Sequence, residues 1–173
     1  MKQILATERL ILREYNLEDI PFVIELLNSE GWLAFIGDKN VHTEEEAKNY
    51  LLNGPIKSYA ENGYGLCAVI RKEDLKPIGM SGIIKRDNLD FPDIGFAFLP
   101  AFIGKGYAFE IADAIINHAK DILKLPKIYG IVNPENASSI KLLEKIGLRN
   151  IGTYTFPDKE EKLLLLSVNF KGR

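Results

Sequence analysis

"FAFLPAFIGKGYAFEIADAIINHAK" (Phe96–Lys120) is the stretch on which the fold turns. An apolar, strand-like run ends near Leu99, and Gly104 and Gly106 then flank Lys105. Ile111, Ala112, Ile115, Ile116, Ala119, Ile122 and Leu123 follow at helical spacing, which predicts a helix from about Gly106 to Leu123. A helix start leaves backbone N–H groups without partners and carries partial positive charge. Glycines let the chain turn tightly there and let a ligand approach the main chain. Together these features make an anion site, most naturally for phosphate. The turn is not a P-loop, because no Gly-Lys-Ser/Thr follows at the required spacing. It is not a full dinucleotide fingerprint either, because Phe109 stands where a third glycine belongs. Read alone, it is a tight connection between strand and helix before it is a phosphate site.

A second helix start lies one strand later, in "NPENASSIKLLEKIGL" (Asn133–Leu148). Asn136 is a natural N-cap with Ser139 in the first turn, and Gly147 suits a left-handed C-terminal cap. Lys127–Val132 reads as the short strand between the two helices. Both helix starts then sit at the C-terminal ends of neighbouring strands, where open sheets bind ligands. Two such starts on one edge can bracket one extended ligand.

Upstream, "RLILRE" alternates with a strand period, and Asn16 caps a predicted helix from Leu17 to about Asn28. Thr43 and Glu46 form a capping box for a second helix, which Gly54-Pro55 breaks before a further turn or two toward Asn62-Gly63. Strands are predicted at Leu66–Arg71, Ile78–Lys85 and Asp93–Leu99, and two more near Arg149–Phe156 and Glu161–Asn169. The expected fold is α+β (mixed α/β), a mixed, mostly antiparallel sheet of about seven strands with about four helices. Three consecutive strands make an antiparallel meander, and the strand–helix–strand crossover adds one parallel pairing.

The 173 residues fit a single domain spanning 1–173. Lys plus Arg number 22 and Asp plus Glu 24, with no basic block, which argues against nucleic-acid binding. The single cysteine, Cys67, lies in an apolar run and reads as a buried thiol in a reducing compartment. The N-terminal residues do not read as a signal peptide, and no apolar run approaches the ~20 residues that span a bilayer. A cytoplasmic protein without a membrane partner is expected, as monomer or homodimer. The two histidines, His42 and His118, and the acids near them have no metal-ligand spacing, so no metal is expected.

"TERLILRE" (Thr7–Glu14), "IGFAFLPAFIGKGYAFEI" (Ile94–Ile111) and "NPENASSIKLLEKIGL" occur in the order and spacing of one family. The chain resembles the GNAT superfamily of N-acetyltransferases, and within it the ribosomal-protein-alanine and -serine N-acetyltransferase branch. The resemblance covers nearly the whole chain. It implies an acyl-CoA N-acyltransferase fold, acetyl-CoA as co-substrate, and an amine acceptor: a protein N-terminus or a small molecule. The family's Gln/Arg-x-x-Gly-x-Gly/Ala motif falls on Ile103–Ala108, with Ile103 departing at the first position. The resemblance assigns the CoA pyrophosphate to the main chain of Gly104, Lys105, Gly106, Tyr107, Ala108 and Phe109. It assigns the pantetheine arm to Phe96, Ala97, Phe98 and Asn136, with Asn133 nearby, and makes Gly95 the candidate bulge that splays the strand.

The implied chemistry is direct attack of a neutral amine on the thioester, with a base for its proton and donors for the developing oxyanion. The family's usual tyrosine acid falls on Leu143, which has no proton to give. Ser139 is the substitute candidate, and its other reading is a helix-start hydroxyl. Asp93 is the candidate base, and its other reading is a solvated strand-end carboxylate. "EGWLAFIGDKNVH" (Glu30–His42) places Trp32 and Phe35 where the family shapes its acceptor pocket, or where a hydrophobic cover is needed. "TFPDKEEK" (Thr155–Lys162) is a charged turn that either touches substrate or is merely solvated. A catalytically idle acyl-CoA-binding or sensor domain is the alternative to an enzyme, and an ATP-binding module using the glycine turn is a third reading.

Overall fold

The structure of the chain, a computed structural model, describes residues 2–170. Among them, eight strands form one sheet: β1 (Gln3–Ala6), β2 (Leu10–Arg13), β3 (Leu66–Arg71), β4 (Lys76–Ile84), β5 (Asp93–Phe98), β6 (Lys127–Val132), β7 (Arg149–Tyr154) and β8 (Leu163–Asn169). The helices are α1 (Ile20–Leu27), α2 (Glu30–Phe35), α3 (Glu44–Asn53), α4 (Pro55–Asn62), α5 (Tyr107–Asp121) and α6 (Ala137–Lys145). The sheet order is β1-β2-β3-β4-β5-β6-β8-β7, antiparallel throughout except for the parallel β5–β6 pair. The expected mixed, mostly antiparallel architecture is what forms.

Period-two alternation splits the core between the two faces of the sheet. Leu10, Leu12, Cys67, Val69, Ile94 and Phe98 face one cluster with Ile111, Ile115 and Ala119 of α5 and Leu143 of α6. Ala68, Ile70, Met80 and Leu99 face the other, with Phe22, Val23 and Leu26 of α1 and Ala47 and Leu51 of α3.

Three expectations change. The sheet has eight strands rather than about seven, because the N-terminus is a hairpin whose four-residue outer strand is too short to carry a clear period. Helices number six rather than about four. One of the additions, α2, carries Trp32 and Phe35 at helical spacing with Ile36 as its C-cap, but six residues with Gly31 inside hide that period. The helix expected from Leu17 begins instead as a single 3-10 turn, Leu17–Asp19, capped by Asn16; α1 proper starts where Pro21 fits its first turn. Ile122 lies past the end of α5 and is exposed. Thr43 Oγ1 caps α3 by accepting from the Glu46 N–H, but the Glu46 carboxylate accepts from the His42 N–H, so the expected capping box forms only by half. Gly54-Pro55 separates α3 from α4, and Gly147 takes the left-handed conformation after α6.

Candidate active site

The site begins with the main chain of β5. The Leu99 N–H donates to the Ile78 carbonyl (3.0 Å), and Ser81 Oγ donates to the Gly95 carbonyl (2.8 Å). Backbone polar groups alternate in direction along a strand, so residues 95, 97 and 99 address β4 while Phe96 and Phe98 address the opposite side. On that side β6 meets β5 at one register point, Asp93↔Tyr129, with the Tyr129 N–H on the Pro92 carbonyl (2.9 Å). Beyond it β6 follows β8, pairing along its whole length from Lys127 to Val132. The N–H and C=O groups of Phe96 and Phe98 therefore border an open wedge. The expected bulge at Gly95 is absent: the β4–β5 register runs unbroken from Gly79↔Phe98 to Ile84↔Asp93. The splay comes from β6 departing, not from an irregularity in β5.

The glycine turn lies at the end of this wedge. Gly104 (φ 80°) and Gly106 (φ 82°) both adopt the left-handed conformation that glycine alone takes cheaply. No side chain caps α5, and its first closed turn is the Glu110 N–H on the Gly106 carbonyl (3.1 Å). The N–H groups of Tyr107, Ala108 and Phe109 consequently precede any intrahelical acceptor. Loop and wedge share a cleft of about 340 Å³, closed on its far side by Asn136, Ser138 and Ser139. The Tyr107 ring itself is buried, which leaves its main chain as the group available to a ligand.

Sequence reasoning missed what braces this loop. Arg9, in the turn between β1 and β2, donates from Nη1 to the Lys105 carbonyl (3.0 Å) and from Nε to Glu110 Oε1 (2.8 Å). Its backbone N–H and Thr7 Oγ1 both donate to Glu110 Oε2 (3.0 and 2.5 Å), and its guanidinium lies 4.3 Å from the Tyr107 ring centroid. Burial pushes the Glu110 carboxyl up, but the bonds from Thr7 and Arg9 outweigh it and hold Glu110 below its ordinary range. The signal lay in "TERL", which the family resemblance marked without a task for its arginine.

A second cavity, about 350 Å³, opens from the first at Trp32, Phe35, Phe96, Ala97, Asn136 and Ser139. Asp93 lines it, 3% exposed, with Arg86 donating from Nε to Oδ1 (2.8 Å) and from Nη2 to Oδ2 (3.3 Å). The expectation of a solvated strand-end carboxylate is thus not met. Burial pushes the Asp93 carboxyl up, and Arg86 offsets only part of that. Asn136 Oδ1 accepts from the Ser139 N–H (3.3 Å) and Ser138 Oγ (3.2 Å), so the asparagine does cap α6. Its Nδ2 has no protein partner among the described residues. Asn133 lines the second cavity rather than the first, donating to Glu161 Oε1 (2.8 Å). Leu143 is buried against Gly130, so the usual tyrosine position belongs to the core and the cavity wall. Trp32 is 7% exposed with its Nε1 donor unpartnered among the described residues; Phe35, 42% exposed, lies across the mouth. Glu30, Asp38, His42 and His118 line neither cavity. The charged turn Thr155–Lys162 contributes Phe156, Lys159 and Glu161.

The sequence model of the acetyltransferase (GNAT) domain matches residues 9–149. The chain belongs to the GNAT acetyltransferase family. The uncharacterized N-acetyltransferase YnaD of Bacillus subtilis is 31% identical over 150 residues, covering 87% of this chain and 85% of that protein. A GNAT-family acetyltransferase from Bacillus anthracis superposes with a TM-score of 0.80 at 25% identity, covering 97% of this chain and 99% of the other. The ribosomal-protein-S5-alanine acetyltransferase of Vibrio fischeri shares the fold, with a TM-score of 0.80 at 18% identity, covering 99% and 98%. This GNAT chain is an acetyl-CoA-dependent N-acetyltransferase. Among its described residues no helix is long and apolar enough to cross a membrane.

Proposed function

We infer that the chain transfers the acetyl group of acetyl-CoA directly to a primary amine, either a small molecule or a protein N-terminus. The observation that carries this reading is the junction of the two cavities at Phe96, Ala97 and Ser139, beside the wedge between β5 and β6. One cavity runs from there to the glycine turn and the other to Asp93. Left-handed glycines, an uncapped helix start and an unpaired strand edge suit a pyrophosphate joined to an amide-bearing arm. Gly104 to Phe109 would hold the pyrophosphate, and Phe96 to Phe98 with Asn136 Nδ2 the arm.

Bound acetyl-CoA supplies an activated thioester carbonyl, whose C–S bond breaks as the amine nitrogen bonds to carbon. Backbone N–H groups of β5 facing the wedge stabilise negative charge on the carbonyl oxygen. Asp93 takes the amine proton; burial makes it a stronger base than an ordinary carboxylate, and each oxygen keeps a lone pair beyond its bond to Arg86. Ser139 donates a hydrogen bond to the departing sulfur, which needs little more, since a thiol is already a fair acid. Trp32 and Phe35 give the junction an apolar wall. Cys67 is not placed to form a covalent acetyl-enzyme: it is buried, it lines neither cavity, and burial pushes its thiol up to about 12.

The test is thiol release from acetyl-CoA with peptides bearing N-terminal Ala or Ser, amino acids, polyamines and aminoglycosides, with mass analysis of the product. Release with one class, and an acetylated amine as product, is expected. Release into water alone, or an acetylated protein without acceptor, would contradict direct transfer.

A further inference from the structure

The acceptor cavity carries more positive charge than its chemistry uses. Its charged lining is Lys39, Arg86 and Lys159 against Asp93 and Glu161. Arg86 is spent on Asp93, and Glu161 accepts from the neutral amide of Asn133. Lys39 and Lys159 remain, and among the described residues neither has a carboxylate within salt-bridge distance. They reach the cavity from separate segments, Lys39 from the loop after α2 and Lys159 from the turn between β7 and β8. Both lysines are exposed residues that line the cavity. Partial desolvation lowers the Lys39 pKa, and Lys159 and Arg86 lower it further, with Asp158 only partly opposing. Two ammonium groups facing one cavity repel each other, and an anion between them relieves that repulsion.

We propose that the acceptor is an amine that also carries an anionic group, a carboxylate or phosphate, which Lys39 and Lys159 hold while the amine reaches Asp93 and the wedge. This rests on the amine-transfer reading above. A polyamine is the wrong charge for this cavity, since its second ammonium would replace the anion between the two lysines.

The test compares matched acceptors in the thiol-release assay: amino acids against their carboxamides, an aminoalkyl phosphate against its parent amino alcohol, acidic against amidated N-terminal peptides, and spermidine. Anionic members should exceed their neutral partners in kcat/KM by about tenfold, a single charged contact's worth. Whether free acids or acidic peptides lead identifies the source of the anion. In the double variant K39Q/K159Q that preference should fall to about parity, with the loss in the acceptor's KM rather than in kcat. Equal use of neutral partners, spermidine as the best acceptor, or a preference that survives the double variant overturns the proposal while transfer to amines stands. Silence across the whole panel overturns the transfer reading and this proposal with it.

Discussion

At the residue scale, Gly106 is the glycine of the loop most directly open to test. Its φ of 82° strains any L side chain, and a Cβ there would come 3.3 Å from Arg9 Nη2. Gly106→Glu adds a carboxylate where the pyrophosphate is proposed to lie. Acetyl-CoA affinity should fall by at least about a hundredfold, read by calorimetric titration, from strain and like charge together. In the proposed mechanism Asp93 is the base and governs the pH profile. Its ionised form accepts the proton, and burial raises its pKa, so the acid limb of kcat should lie above the ordinary carboxylate range. Asp93→Asn should remove that limb and lower kcat by about 10²–10⁴-fold. Linkage gives stability the opposite sign. The folded carboxyl binds its proton more tightly than the unfolded one, so this residue's contribution weakens as pH rises from the unfolded value through the raised folded one. Ser139→Ala should slow kcat by about tenfold to a hundredfold and leave acetyl-CoA affinity nearly unchanged, the pattern of a contact made in the transition state.

At the element scale, the N-terminal hairpin of β1 and β2 braces the glycine turn proposed to hold the cofactor. Arg9 ties the Lys105 carbonyl to the first turn of α5 through Glu110, and Thr7 shares that carboxylate. The loop's two left-handed glycines would otherwise be free to sample other turns. Arg9→Ala should raise the KM for acetyl-CoA by about threefold to tenfold with kcat changed less, because it loosens the cradle and touches no reacting atom. Steady-state kinetics at fixed acceptor concentration checks this, and an unchanged KM would reduce the hairpin to a sheet edge. The pair is partly exposed (side chains 42% and 19%), so its effect on folding stability should be small beside its effect on the loop.

At the scale of the whole molecule, the chain shows how far pattern alone reaches. The glycine turn, α5 with its apolar face, the Asn136 cap and the three-strand meander were legible because each is written in local sequence. The outer hairpin strand and α2 were not, because four and six residues are too few to display a period. Gly95 misled: a glycine in a strand suggests a bulge, but the splay arises from pairing preferences of β6 that no single residue records. Arg9 was invisible as a brace because its partners lie 96 and 101 residues away. Asp93 looked solvated until the fold wrapped Arg86 around it. The proposed cofactor half of the site is built from main chain at turns and helix starts, which sequence signals well. The proposed acceptor half is assembled from side chains of distant loops, which it signals poorly.

The central claim is that one open strand edge and one glycine turn together seat acetyl-CoA. A crystal structure of the protein with CoA tests it most directly. The account predicts pyrophosphate oxygens within about 3 Å of main-chain N–H groups between Gly104 and Phe109, and pantetheine amides paired with Phe96 and Phe98 in the wedge. Phosphates bound elsewhere, or a pantetheine arm outside the β5–β6 wedge, would contradict it.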